Sequence, residues 1–132
     1  MRIGYVSGRF RVYNEGGSFN QEAMNVQVLQ ERRWAKVLAQ CGIFPLCPLA
    51  NSVHLEGEVD WEPDKWIEGD LSLIRQLEWQ YDLILMRPGW DDFPESEGAR
   101  REYGVARDKN LLIVHGNQGT KAVVEYLNSL GD

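Results

Sequence analysis

The sequence predicts an α/β fold: one domain over residues 1–132, with a parallel sheet of four to five strands between two layers of helices. Three observations carry that expectation. Short apolar runs alternate with longer stretches whose apolar residues recur at helical spacing. No repeat, low-complexity tract or linker divides the chain. Hydrophobic residues at 43% and charged residues at 26% suit a globular domain long enough to bury a core.

The elements follow in order. Met1 to Val6 reads as the first strand, running into a turn at Ser7-Gly8. A loop rich in Arg, Gly and Asn extends to Phe19. From about Asn20 to Gln40, residues Met24, Val28, Leu29, Trp34, Val37 and Leu38 fall at helical spacing, and Cys41-Gly42 stops the helix. Ile43 to Cys47 is a short second strand, and Pro48 to Pro63 is irregular. Asp64 to about Glu78 is a second helix, with Trp66, Ile67, Leu71, Ile74 and Leu77 on its apolar face. Tyr81 to Met86 is the third strand, Ser96 to Asp108 the third helix, Leu111 to Val114 the fourth strand, and Thr120 to Leu130 a closing helix. Parallel sheets of this kind bind ligands beyond the carboxyl ends of their strands. Those ends are Ser7 to Arg11, Pro48 to His54, Met86 to Ser96 and His115 to Gln118.

Composition narrows the partners. The chain has 14 basic and 20 acidic residues, a net charge of −6. Nucleic acid calls for a basic face and is not expected; a small anion held by a few arginines and N–H groups is compatible. Met1 leads directly into an apolar strand and no run approaches transmembrane length, so a cytoplasmic setting without a membrane partner is expected. Cys41 and Cys47 flank the apolar segment Gly42 to Leu46 and read as packing residues rather than a redox or metal pair. His54 and His115 lie far apart, and neither HExxH nor CxxC occurs, so no metal is expected. Gly8-Arg9-Phe10-Arg11 is not a GxGxxG, so no dinucleotide cofactor is expected. No GxSxG elbow supports serine hydrolysis.

The most informative stretch is 84–106. The third strand ends at Arg87-Pro88-Gly89, a loop with two carboxylates follows, and Ser96-Glu97-Gly98-Ala99 opens a helix carrying Glu102. A strand, a loop and a small-residue helix start make an anion-binding corner. Glu102 leans back toward Gly98, one turn earlier, which predicts open space over the carboxylate. Glu102 is then a candidate nucleophile toward an anomeric carbon; the plain alternative is a solvated helix glutamate. Asp70 interrupts the apolar surface between Ile67 and Leu71, as a second carboxyl managing protons or as a surface aspartate. Asp64 and Glu68 read as capping or solvent residues. Ser96, Gly98 and Ala99 offer a hydroxyl and N–H groups to a phosphate, or a plain helix cap. Arg9 and Arg11, with Ser7 and Gly8, clamp the same anion or decorate a loop. Tyr5 is core, or its hydroxyl reaches the site. Trp90, beside Gly89, is placed to stack on a base; Trp61, Trp66 and Trp79 read as packing.

These residues resemble the nucleoside 2-deoxyribosyltransferase superfamily, closest to its nucleoside 5′-monophosphate N-glycosidases and small phage and bacterial relatives. The resemblance runs from Gly4 to about Val114. It rests on Tyr5-Val6-Ser7-Gly8-Arg9-Phe10-Arg11, Asn25, Cys47-Pro48-Leu49, Gly69-Asp70-Leu71 and Tyr81-Asp82-Leu83-Ile84-Leu85. Its most specific part is Pro88-Gly89-Trp90 followed by Ser96-x-Gly98-Ala99-x-x-Glu102-x-x-x-Ala106. The resemblance implies a three-layer Rossmann- or flavodoxin-like sandwich, with Glu102 as nucleophile and Asp70 assisting with protons or holding the base. It also implies that Ser96, Gly98 and Arg11 hold a 5′-phosphate. Members acting on free nucleosides carry aspartate where Ser96 stands, so a nucleotide is the expected small-molecule partner. Trp34, Trp66 and Trp79 look surplus to a sheet of this size, and the family is oligomeric, so a homodimer or higher oligomer is expected. Two other readings stay open: a noncatalytic nucleotide-binding module, and a glycohydrolase of an NAD-type dinucleotide.

Overall fold

The computed structural model describes residues 1–53, 55, 58–92 and 96–131. The first strand, β1, covers Ile3–Ser7, and α1, Gln21–Gln40, follows the loop. Asn20 caps α1, its side chain accepting from the Ala23 N–H at 3.0 Å. Next come β2, Phe44–Leu46; α2, Pro48–Ser52; and α3, Pro63–Arg75. The chain ends with β3, Leu83–Met86; α4, Glu97–Asp108; β4, Leu112–His115; a single 3₁₀ turn, Gly116–Gln118; and α5, Thr120–Ser129. The short α2 falls in the stretch expected to be irregular. Pro48 starts it, and proline suits a first helical turn. Among the described residues no helix is long and apolar enough to cross a membrane.

The sheet has four strands in the order β2-β1-β3-β4, all parallel. From β1 the chain steps outward to β2, then crosses back to β3. The reversal lies between β1 and β3, where Tyr5 pairs with Ile84 and Ser7 with Met86. A crevice above that reversal is the expected ligand site of an open parallel sheet.

Strand periodicity decides what faces which helix. Val6, Leu83, Leu85 and Val114 pack with Trp34, Val37 and Leu38 of α1 and with Val123 and Leu127 of α5. Tyr5, Ile84 and Met86 point the other way, onto Leu71 and Ile74 of α3 and Ala99 and Ala106 of α4. Both faces are covered, which is why these strands read as continuous apolar runs. Gly4 allows the close approach on the α1 side: a Cβ there would lie 2.8 Å from Leu38 Cδ1. Trp34, expected to be surplus, is only 4% exposed and belongs to this core, whereas Leu29, expected on the apolar face of α1, is exposed. Cys41 and Cys47 are free thiols packed against the same cluster, and burial raises both pKa values.

Candidate functional site

Above the β1/β3 reversal lies a cavity of about 410 Å³. Its floor is Val6, Ser7 and Gly8 with Arg87. The first two turns of α4 make one wall, Pro63 to Asp70 of α3 the next, and Glu31 with Pro48, Leu49 and Ser52 the third. Arg9, Phe10, Arg11 and Tyr13 close the side toward the loop.

Glu102 stands at the bottom of this space. Tyr5 and Ser7 are two apart on β1 and so share a face, the face that α4 covers. The Tyr5 hydroxyl donates to Glu102 Oε2 and the Ser7 hydroxyl to Oε1 at 3.0 Å. One carboxylate is thus gripped on both oxygens by one strand. Glu102 is 7% exposed, so it sits on the floor and not on a solvated helix face. Burial pushes its pKa up to about 8 against the pull of the two hydroxyls, and the charges of Asp70 and Glu31 add to the rise. Burial and the Glu102 charge hold the Tyr5 hydroxyl well above its ordinary pKa, so it stays a donor. Gly98 and Glu102 line one cavity, and Ile67 from α3 borders it: a Cβ on Gly98 would meet Ile67 Cδ1 at 3.5 Å, an ordinary contact distance.

Ser96 flanks α4 at the N-cap position, yet its side chain makes no capping bond. It is 1% exposed, lines the cavity, and its Oγ has no partner among the described residues. A buried hydroxyl left unpaired costs about 1–3 kcal/mol, which a ligand acceptor in the cavity would offset. Gly98 and Ala99 line the same wall, and Asp70 lines the α3 wall. Ser7, Gly8, Arg9 and Arg11 all reach the cavity, as their place after β1 predicts. Asp64 and Glu68 do not cap α3; they pair with Arg101 of α4 at 3.5 and 2.6 Å and tie the two walls together.

Two expected binding residues fall elsewhere. The turn after β3 folds the Trp90 ring onto α4, stacked on Tyr103 at 5.0 Å and 9% exposed. Trp90 is therefore core and does not line the cavity. Gly89 holds the turn with φ 79°, its N–H donating to Asn117 Oδ1 at 3.3 Å, also away from the cavity. The aromatic side chain on the α3 wall is Trp66, expected to be packing. His54 and residues 93–95 of the loop before α4 lie outside the described residues.

Two charged residues were not anticipated. Arg87, 3% exposed, donates through Nη1 to Gln27 O and Oε1 at 3.1 and 3.2 Å, and through Nη2 to Arg9 O at 2.7 Å. It lies across Gly8 so closely that a Cβ there would be 2.5 Å from Nε. Gly8 is glycine for that reason, and Arg87 fixes the loop carrying Arg9 and Arg11. Glu31, 1% exposed, accepts from the Leu49 and Ala50 N–H groups at 3.4 and 3.2 Å. Burial raises its pKa to about 7, with Arg87 opposing. A signal for Glu31 was present: it is seven residues from both Met24 and Leu38, which places a charge on the buried stripe of α1.

The arrangement offers two buried carboxyls, Glu102 held by hydroxyls and Glu31 by N–H groups, with Asp70 on a facing wall, arginines on the loop side, and an unsatisfied hydroxyl at a helix start. Comparison with known protein families, with characterised proteins and with solved structures finds no match.

Proposed function

We propose that the protein cleaves or transfers the N-glycosidic bond of a nucleoside 5′-monophosphate or nucleoside through a covalent glycosyl ester on Glu102. The observation that carries this is the Glu102 carboxyl, gripped by Tyr5 and Ser7 at the bottom of a nucleotide-sized cavity. The resemblance of the stretch 84–106 to the deoxyribosyltransferases supports the same role for this residue. In the first step an ionised Glu102 oxygen bonds to C1′ as the C1′–N bond breaks. The electron pair leaves with the base, which takes a proton from Asp70. Water, or a second base, then attacks C1′, gives its proton to Asp70, and the ester bond breaks to restore the carboxylate. Tyr5 and Ser7 hold both Glu102 oxygens in place throughout.

A second reading has one observation in its favour. With a pKa near 8, Glu102 is mostly protonated at neutral pH and suits a hydrogen-bond donor in a noncatalytic nucleotide-binding module. A chromatographic panel of nucleosides, their 5′-monophosphates and NAD separates the readings. Free base released from a monophosphate supports the glycosidase, and release from NAD alone a dinucleotide glycohydrolase. Saturable binding without turnover supports the module.

Within the proposal, the unpaired Ser96 hydroxyl and the α4 N-terminus receive the 5′-phosphate. A charge-assisted bond there is worth roughly 1.5–3 kcal/mol. A monophosphate should then exceed its nucleoside by at least about tenfold in kcat/KM. Ser96→Asp should shrink that preference by setting a negative charge beside the phosphate. Equal rates for both substrates, unaltered by Ser96→Asp, would remove the phosphate from this corner.

A homodimer or higher oligomer belongs to the same proposal. With Trp34 in the core, it rests on Val26 and Leu29, exposed together on the outer face of α1. Light scattering at micromolar concentration checks it, and a mass of 15.2 kDa counts against it.

A further inference from the structure

Trp66 has an indole Nε1 that is buried without a hydrogen-bond partner among the described residues, on a residue that lines the cavity. Its ring leans on Trp61, centroids 4.6 Å apart, and Lys65 lies over that second ring at 4.4 Å. The indole is therefore braced by a neighbouring ring on a residue that lines the cavity. Asp70 lies one helical turn further along α3 and lines the same wall. The wall thus presents the indole N–H and the Asp70 carboxyl about one turn apart, beside the apolar Ile67. The α4 start, with Ser96, is the better place for an anion. The group that suits the α3 wall is neutral and flat, with two acceptors side by side, one for the indole N–H and one for the Asp70 proton.

We propose that Trp66 determines specificity for the base: its Nε1–H donates to an acceptor on the edge of a nucleobase whose neighbouring nitrogen takes the proton from Asp70. This rests on the nucleotide reading above, and gives the base a place on α3 rather than at Trp90. It excludes ligands that have a sugar phosphate but no such edge from full affinity.

The test compares Trp66→Phe with wild type in the dissociation constants of purine and pyrimidine 5′-monophosphates and of ribose 5-phosphate. Phenylalanine keeps an aromatic ring and removes the donor along with part of the indole's bulk, and ribose 5-phosphate controls for the lost packing. The tightest-binding nucleotide should weaken roughly three- to tenfold, while ribose 5-phosphate should bind as before. In the wild-type protein, the Trp66 indole N–H resonance should shift on adding that nucleotide and stay put with ribose 5-phosphate, a readout that holds even if the variant folds poorly. Unchanged nucleotide affinity in Trp66→Phe, equal weakening of both ligands, or an indole signal indifferent to nucleotide overturns the assignment. Because binding is the readout, failure of the glycosidase reading shows separately, as a nucleotide bound but not cleaved.

Discussion

Glu102→Gln is expected to bind nucleotide and to lose turnover by roughly four orders of magnitude, the scale on which removal of a nucleophile acts. Glutamine keeps the shape and a carbonyl oxygen for Tyr5, and the Ser7 hydroxyl rotates to accept from the amide. Glu102→Ala is the less clean variant. From sequence alone Glu102 stood at a rim, where truncation would cost the fold little. In the structure it is buried, and alanine would leave the Tyr5 and Ser7 hydroxyls unpaired at about 1–3 kcal/mol each. Base release by quenched-flow and chromatography, beside a thermal melt of each variant, separates the two effects. A Glu102→Gln protein that cleaves at the wild-type rate removes the covalent mechanism. A Tyr5→Phe protein should fall between the two, since it releases one oxygen of the carboxylate and keeps the ring in the core.

Much of the fold was legible because its signals are local. Apolar runs, helical spacing and the stops at Cys41-Gly42 gave each element to within a few residues. The parallel sheet then placed the site at strand ends without reference to any contact. The wall residues were legible for the same reason: Ser7, Gly8, Ser96 and Glu102 stand beside strand ends or on the first turns of a helix. Trp90 was misplaced because a turn's path is not local. Its loop residue type suited a base, but the ring folds back onto Tyr103. Trp66 was read as packing because an indole on an apolar stripe looks like core, and only the unpartnered Nε1 distinguishes it. Arg87 was invisible since its partners are Gln27 and Arg9, some sixty and eighty residues away in sequence. Gly8 shows the same limit. Its need for no side chain is set by Arg87, not by the turn it occupies.

Stability should fall as pH rises from about 4.5 to about 8, against the habit of proteins whose carboxylates are ion-paired. Glu102 and Glu31 start from an ordinary value of 4.5 and are raised to about 8 and about 7 by burial. The native state thus holds protons that the unfolded chain releases. The stabilisation is fully present below pH 4.5, declines as pH climbs through that window, and is gone above the native pKa values. At about 1.4 kcal/mol per pKa unit, the loss is on the order of 3–5 kcal/mol for each of the two groups. Chemical denaturation at several pH values measures it. Glu102→Gln should flatten the slope up to about pH 8, and Glu31→Gln the part up to about pH 7. Under the proposed glycosidase reading, catalysis should run the opposite way. A nucleophile must be ionised, so kcat/KM should rise about tenfold per pH unit below 8 and level above it. The enzyme would then trade fold stability for reactive carboxylate over one pH interval, with Glu102 governing both curves. In the binding-module reading the protonated carboxyl is the useful form, and nucleotide affinity should instead fall through pH 8. A kcat/KM flat between pH 6 and 9, with a stability slope unchanged in Glu102→Gln, would show that this carboxyl neither titrates in that interval nor attacks the sugar.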